Sequence, residues 1–320
     1  MGVGSVPKHI NGGGPQGATL GILEYLAQSN NSADCVNELD RFKFIDDLTI
    51  LEIVNLLTVG LTSFNIKQQV PTDIPFHGQY IPPENLESQK WLDNIDDWTK
   101  NQKMLINGKK TKTMVFNYTD KYQFTTRLQL NSKTVEVISS TKLLGTIIQD
   151  DLKWNMNTAN IVSKANARME LLRKVASFGT STEELKNVYI LFIRSLLEQT
   201  ATVWHSSLTA EDSSDLERVQ KSALRVILGD KNSGYRNALA TLDLDTLNDR
   251  RKQLCLSFAQ KCLKNKKTQQ MFPLNKNTHT MNNRNTEKFH VQHANTGRLK
   301  DSSIIYMQHL LNENEDSNKK

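Results

Sequence analysis

Arg41-Phe42-Lys43-Phe44-Ile45-Asp46-Asp47-Leu48-Thr49-Ile50-Leu51 is the stretch on which the fold turns. Its apolar residues flank two adjacent carboxylates. The runs Arg41–Phe44 and Leu48–Leu51 read as short strands, and a two-residue turn between them puts Asp46 and Asp47 at the bend of a hairpin. Adjacent acids fixed at a hairpin tip suit a site for hard divalent cations. Mg²⁺ takes rigidly held carboxylate oxygens beside a polyanion, and two such ions stabilise the attacking and leaving oxygens of a phosphoryl or nucleotidyl transfer. A lone Asp-Asp pair is more often a solvated turn, so the reading depends on what accompanies it.

About thirty residues upstream lies Gly12-Gly13-Gly14-Pro15-Gln16-Gly17-Ala18-Thr19-Leu20-Gly21. Downstream come Asn107-Gly108-Lys109-Lys110-Thr111-Lys112-Thr113-Met114-Val115-Phe116, then Lys142-Leu143-Leu144-Gly145-Thr146-Ile147-Ile148 and Leu152-Lys153-Trp154. Further on are Ser195–Gln199, Val203-Trp204-His205 and Leu216–Lys221. In this order the segments resemble the reverse-transcriptase family, in particular its non-LTR (LINE-like) retrotransposon branch. The resemblance runs from about Gly12 to Leu311.

That resemblance implies RNA-directed DNA synthesis with a two-metal Mg²⁺ site, an RNA template, a DNA primer and deoxynucleotides. By position, Asp46 and Asp47 are the metal ligands and catalytic acids. Pro15, Gln16 and Gly17 lie against template and incoming nucleotide, Lys110 serves the leaving pyrophosphate, and Leu144 and Gly145 form the primer grip. Each has a plainer reading. Pro15–Gly17 is also a tight turn before a helix. Lys110 competes with Lys109 and Lys112 in a solvated turn, and Gly145 is also a packed glycine in a strand bend. The family places a further aspartate on a strand upstream of the Pro-Gln-Gly segment, and Met1–Asn11 contains no acid. The expectation is therefore an incomplete metal site, a missing N-terminal polymerase half and no activity alone. The alternative is a non-catalytic nucleic-acid-binding or scaffold remnant.

Patterning divides the chain in three. Residues 1–150 predict a helix-backed antiparallel sheet, matched by resemblance to a partial polymerase palm. Here Ser88–Lys103 reads as an amphipathic helix with Trp91, Ile95 and Trp98 on one stripe, and Gln68–Pro83, with four prolines, as a loop. Residues 151–264 predict an all-helical, thumb-like region. Its helices cover Ile161–Val175, a segment capped by Ser181 with Glu184, a third capped by Ser214 with Glu217 and ending at Gly229, and Asp243–Leu263. The second is expected to bury Leu185, Val188, Phe192 and Leu196, and the third Leu216, Val219, Ala223 and Ile227. Residues 265–320, rich in Asn, Lys, Thr and His, predict a mostly disordered basic tail, with Ser303–Leu311 a candidate short helix. The fold class is α+β.

Composition bounds the rest. Lys and Arg exceed Asp and Glu by 40 − 34 = 6 over 320 residues, and Lys261–Lys320 alone holds eleven basic and five acidic residues. Such a tail suits a nucleic-acid partner through phosphate neutralisation, though it equally solvates a disordered end. Three cysteines, Cys35, Cys255 and Cys262, make no disulfide framework and point to a reducing, intracellular setting, cytoplasmic or nuclear. Cys255 and Cys262 with His279, His290 and His293 lack zinc-ligand spacing, so two small buried residues on a helix is the better reading. No signal peptide or membrane span is expected. Trp98, Trp154 and Trp204 read as core anchors.

Overall fold

The structure, a computed structural model, describes residues 41–44, 47–50, 78–79, 86–117, 123–124, 127–231, 234–275, 288–294 and 296–318. It is mixed α and β, with helix dominant and the strands short. The chain falls into two compact units, one ending at Ser139 and the other starting at Ser140.

In the first unit, β1 (Arg41–Phe44) pairs antiparallel with β2 (Asp47–Ile50), in the register Phe44↔Asp47 through Arg41↔Ile50. The remaining strands are two residues long. β3 (Gly78–Gln79) pairs parallel with β5 (Gln123–Phe124), β4 (Lys112–Thr113) parallel with β8 (Glu136–Val137), and β6 (Gln129–Leu130) antiparallel with β7 (Lys133–Thr134). A helix-backed antiparallel sheet was expected. Among the described residues the pairing is broken into separate two-stranded ladders, two of them parallel. The helix expected over Ser88–Lys103 is α1, Glu87–Asn101, which buries Ile95 and leaves Trp91 and Trp98 half-buried. Gln89 explains how it holds the sheet. Its amide donates to the Gln129 carbonyl at 2.9 Å and accepts from the Gln129 amide at 2.8 Å, so one side chain acts as a further strand.

The second unit opens with the hairpin β9 (Ser140–Leu143) and β10 (Thr146–Gln149), then becomes helical. α2 (Asn155–Ser177) lies along α6 (Ala210–Leu228). Between them run α3 (Thr182–Val188), a π-helical segment (Tyr189–Arg194), α4 (Ser195–Leu197) and α5 (Ala201–Trp204). α7 (Tyr235–Leu242) and α8 (Leu247–Leu263) complete the bundle, followed by the single turns α9 (Lys266–Gln269) and α10 (Gly297–Lys300). No strand occurs among the described residues from Ile161 to Leu263, as the periodicity predicts.

Two local departures have clear causes. Ser181 and Glu184 form the expected reciprocal capping box, but the buried face that follows is Leu185, Tyr189, Ile193 and Leu197. Val188 and Leu196 are only half-buried, and Phe192 is exposed. In an α-helix, residues four apart drift around the axis. A π turn, closed by i→i+5 bonds, is wider and brings a strict four-residue stripe back onto one face. Second, the helix expected to start at Ser214 starts five residues earlier. Thr209 accepts the Asp212 amide, so Ser214 and Glu217 lie inside α6. Its expected core residues, Leu216, Val219, Ala223 and Ile227, are all buried, and Gly229 ends it at φ 53°.

The segment expected to be a mostly disordered tail is ordered wherever it is described. α11 (Ser303–Asn318) packs along α8, where Met307, Leu310 and Leu311 close a second core over Cys255, Ala259, Cys262, Phe272 and Phe289. Asn312 secures it by accepting from the Phe289 amide at 2.8 Å and donating to the Phe289 carbonyl at 3.0 Å. A three-to-four apolar spacing outweighs polar composition here, because the face it builds has a partner. No helix among the described residues is long and apolar enough to cross a membrane.

Candidate nucleic-acid interface

Asp47 does not sit at the bend. It is the first residue of β2, paired with Phe44, and the register leaves Ile45 and Asp46 between the strands. The expectation that Asp47 lies in the turn is therefore corrected. Asp46, Pro15, Gln16 and Gly17 lie outside the described residues. Lys110 lies exposed in a turn organised by Asn107, whose side-chain oxygen accepts from the amides of Lys109 (3.2 Å) and Lys110 (3.3 Å). Neighbouring Lys112 is paired with Glu136.

Leu144 and Gly145 form the two-residue turn of the β9–β10 hairpin, at φ 47° and φ 91°. Glycine is favoured at 145 by its backbone, and a side chain there would displace the end of Gln199. The left-handed conformation suits glycine, and a Cβ there would lie 2.6 Å from Nε2 of Gln199. Leu144 gains no such relief. An apolar, branched residue holds a positive φ while 54% exposed. The hairpin is fixed to the helices beneath it. The Thr146 and Thr200 hydroxyls share a 2.7 Å hydrogen bond, Asn157 accepts from the Ile147 amide at 3.1 Å, and Gln149 accepts from the Met156 amide at 3.2 Å. Trp204, fully buried, donates to the Gln199 carbonyl at 3.0 Å and so holds the same corner. Trp154 is buried too, so two of the three tryptophans are the core anchors expected, while Trp98 is only partly buried.

Behind this corner lies a polar interior that the sequence did not announce. Tyr189 donates to Gln220, whose amide donates to the Tyr235 hydroxyl (2.9 Å) and the Asp245 carbonyl (3.0 Å). Tyr235 in turn donates to Glu217, which also accepts the Leu247 amide at 3.3 Å. One chain of bonds thus locks the π segment, α6, α7 and the start of α8 in register. Burial, reinforced by Glu217, pushes the Tyr235 phenol up, and burial does the same at Tyr189. Both therefore stay protonated donors.

Next to it Arg251 is buried completely. Its Nε donates to Nδ1 of His205 at 3.3 Å, one Nη faces Ser213 Oγ at 3.4 Å, and the guanidinium lies 5.9 Å from the Trp204 ring centre. Because arginine can only donate, His205 must be neutral with Nδ1 bare, so its Nε2–H faces the Tyr306 hydroxyl at 3.4 Å. Burial, with Arg251 second, lowers the His205 pKa to about 4. Burial also lowers that of Arg251, against the pull of Glu217 and Glu198. Glu198 itself binds Arg250 through both oxygens, at 3.1 and 3.3 Å. Arg251 and His205 are buried and bonded to one another, with only Nη1 of Arg251 left without a hydrogen-bond partner, so this cluster braces the bundle.

Among the described residues no three His, Cys, Asp or Glu side chains gather as a metal site, and Cys255 and Cys262 are free and buried. No family model matches this chain, and neither a curated protein nor a solved structure does.

Proposed function

We propose that this chain is part of an RNA-directed DNA polymerase of the non-LTR retrotransposon type, running from the Pro-Gln-Gly segment through the palm hairpin into the thumb. The observation that carries the reading is the β9–β10 turn. Backbone strain at an exposed residue persists where the surroundings impose it, and such outliers cluster at sites that contact ligands. Leu144 is strained, apolar, exposed and rigidly mounted at the entrance to a helical bundle, which suits a contact with the sugar face of a primer strand. The order of the motifs and the antiparallel β1–β2 pairing support the same reading.

In it, Asp46 and Asp47 hold Mg²⁺, for which hard carboxylate oxygens are the fitting donors. The two acids supply too few oxygens for an octahedral ion, so water, nucleotide phosphates and a further carboxylate complete the set. When bound, the metals stabilise the attacking and leaving oxygens. Lys110, exposed in its turn, neutralises the leaving pyrophosphate, and Pro15–Gly17 lie against the template pair.

Leu144→Gly tests the proposal, because it separates stability from binding. Glycine relieves the positive φ and should leave the fold as stable or more so. It should nevertheless weaken binding of a recessed primer–template several-fold, with little effect on a blunt duplex. Unchanged primer–template affinity would remove the primer contact. Equal weakening for both ligands would favour a binding-only protein.

A further inference from the structure

Away from the hairpin, α6 and α7 enclose a cavity of about 70 Å³ lined by Lys221, Leu224, Arg225, Gly234, Tyr235 and Ala238. We infer that this cavity binds one phosphate group, held by Lys221 and Arg225. The inference rests on the proposed function only for the source of that phosphate, a nucleic-acid backbone.

Lys221 and Arg225 are one helical turn apart on α6, where like charges repel. Elsewhere on α6, Arg218 is neutralised by Asp215 at 2.9 Å. Among the described residues neither Lys221 nor Arg225 has an ion pair. The acid nearest to Lys221 in sequence, Glu217, accepts from the Tyr235 hydroxyl and the Leu247 amide, and the acid nearest to Arg225 is Asp230, beyond the end of α6. Two cations without an ion pair therefore converge on one concavity, with the charged Glu217 held on the far side of the Tyr235 hydroxyl.

The walls are rigid. Lys221 Nζ lies 5.1 Å from the Tyr235 ring centre, and the hydroxyl of that ring is fixed by Glu217 and Gln220. Leu224 and Ala238 are buried beneath, which keeps the local dielectric low and strengthens attraction to an anion. The space is several times the roughly 10–15 Å³ that one water needs by the same measure, which accommodates a tetrahedral oxyanion. Arginine presents a planar fork of donors that matches phosphate oxygens, and the Lys221 ammonium keeps donors to spare above the ring. A flat base finds no platform here, because Lys221 already covers the Tyr235 face.

Titrating the full ¹⁵N-labelled chain with inorganic phosphate, against chloride at equal ionic strength, reads the site directly. The amides of Gly234, Tyr235 and Ala238 should shift in the native chain and stay still in K221Q/R225Q at unchanged helicity. Should the double variant not fold, Arg225→Gln alone carries the comparison, since Arg225 is exposed. No shift in the native chain, or the same shift in the variant, overturns the site. A second arm measures affinity for a single-stranded RNA against salt. K221Q/R225Q should bind about three- to tenfold more weakly at 0.1 M salt, with the logarithmic salt slope reduced by about 0.7 for each phosphate that is no longer neutralised. The pair K164Q/K174Q on α2 removes the same charge and should bind as the native chain does. Equal weakening by that pair would assign the effect to net charge and overturn the proposed site of contact. Phosphate shifts with unchanged RNA binding would overturn the nucleic-acid source. Neither result touches the Leu144→Gly test, so the site and the polymerase reading fail separately.

Discussion

Acid should unlock the second unit through a single imidazole. His205 is neutral because Arg251 donates to its Nδ1, and its ring meets Tyr306 of α11 edge-on at 5.5 Å. A proton added at Nδ1 would face the Arg251 N–H and set a second positive charge beside a buried guanidinium. The folded pKa is about 4, against about 6.5 for an unperturbed imidazole. The unfolded chain therefore binds more protons between these values, and stability falls as pH drops from about 6.5 toward 4. At about 1.4 kcal/mol per unit the full loss approaches about 3 kcal/mol, an upper figure for a group at the edge of the core. His205→Asn offers a side-chain oxygen to Arg251 and cannot titrate. Urea unfolding followed by tryptophan fluorescence at pH 7, 6, 5 and 4 should show the native chain losing up to about 3 kcal/mol more than the variant. The other histidines are common to both and cancel in the difference. Parallel pH profiles would refute the reasoning, as would a native chain that gains stability on acidification.

Three further outcomes follow from single contacts. Gly145→Ala should cost about 1–2 kcal/mol, from the left-handed backbone and the approach to Gln199; Gln199→Ala should recover part of it, and a double variant no better than the single would place the strain elsewhere. Ser181→Ala removes one half of the α3 capping box and should lower unfolding stability by about 1 kcal/mol, with no change below about 0.3 kcal/mol counting against the cap. In a Cys35→Ser background, Cys255 and Cys262 should resist a thiol reagent at pH 8, since both are buried and burial pushes the Cys255 thiol up to about 11. A chain ending at Ser302 should label readily at both, and rapid labelling of the full-length protein would contradict the second core.

Much of the bundle was legible because its signals are local. The Ser181–Glu184 box, the Gly229 stop and the apolar spacing of Leu216, Val219, Ala223 and Ile227 all depend on residues within one helical turn or its repeats. Errors arose where a local signal was passed over. Ser214 with Glu217 reads as a helix start, but Thr209 accepts the Asp212 amide and starts the helix five residues earlier, a cap that the reading passed over. Glu217 is then free to meet Tyr235, a partner supplied by α7. The π segment was hidden for a related reason. Tyr189, Ile193 and Leu197 are spaced by four, which a regular helix spreads around its axis, so Val188 and Phe192 looked like the better face.

The placement of charge shows most clearly what a linear reading loses. Counting assigns the basic excess to the last sixty residues and suggests that a polyanion binds there. In the fold, Lys288 pairs with Asp316 at 2.7 Å, and Glu313 of α11 pairs with Lys252 of α8 at 3.2 Å. Part of the tail's charge is thus taken up by the docking of α11, and exposed pairs of this kind add little stability. Lys221 and Arg225 lie instead in a stretch where acids outnumber bases by four to three, Glu211 through Arg225. Their acidic neighbours are directed elsewhere: Asp212 to Thr209, Asp215 to Arg218, and Glu217 to Tyr235 and the α8 amide. What remains beside the cavity is two cations without an ion pair against a fixed aromatic wall. Net charge measures how strongly a polyanion is attracted at a distance, whereas the site of contact depends on which charges the fold leaves unpaired. By that criterion the α6–α7 cavity, rather than the tail, is where phosphate should be found.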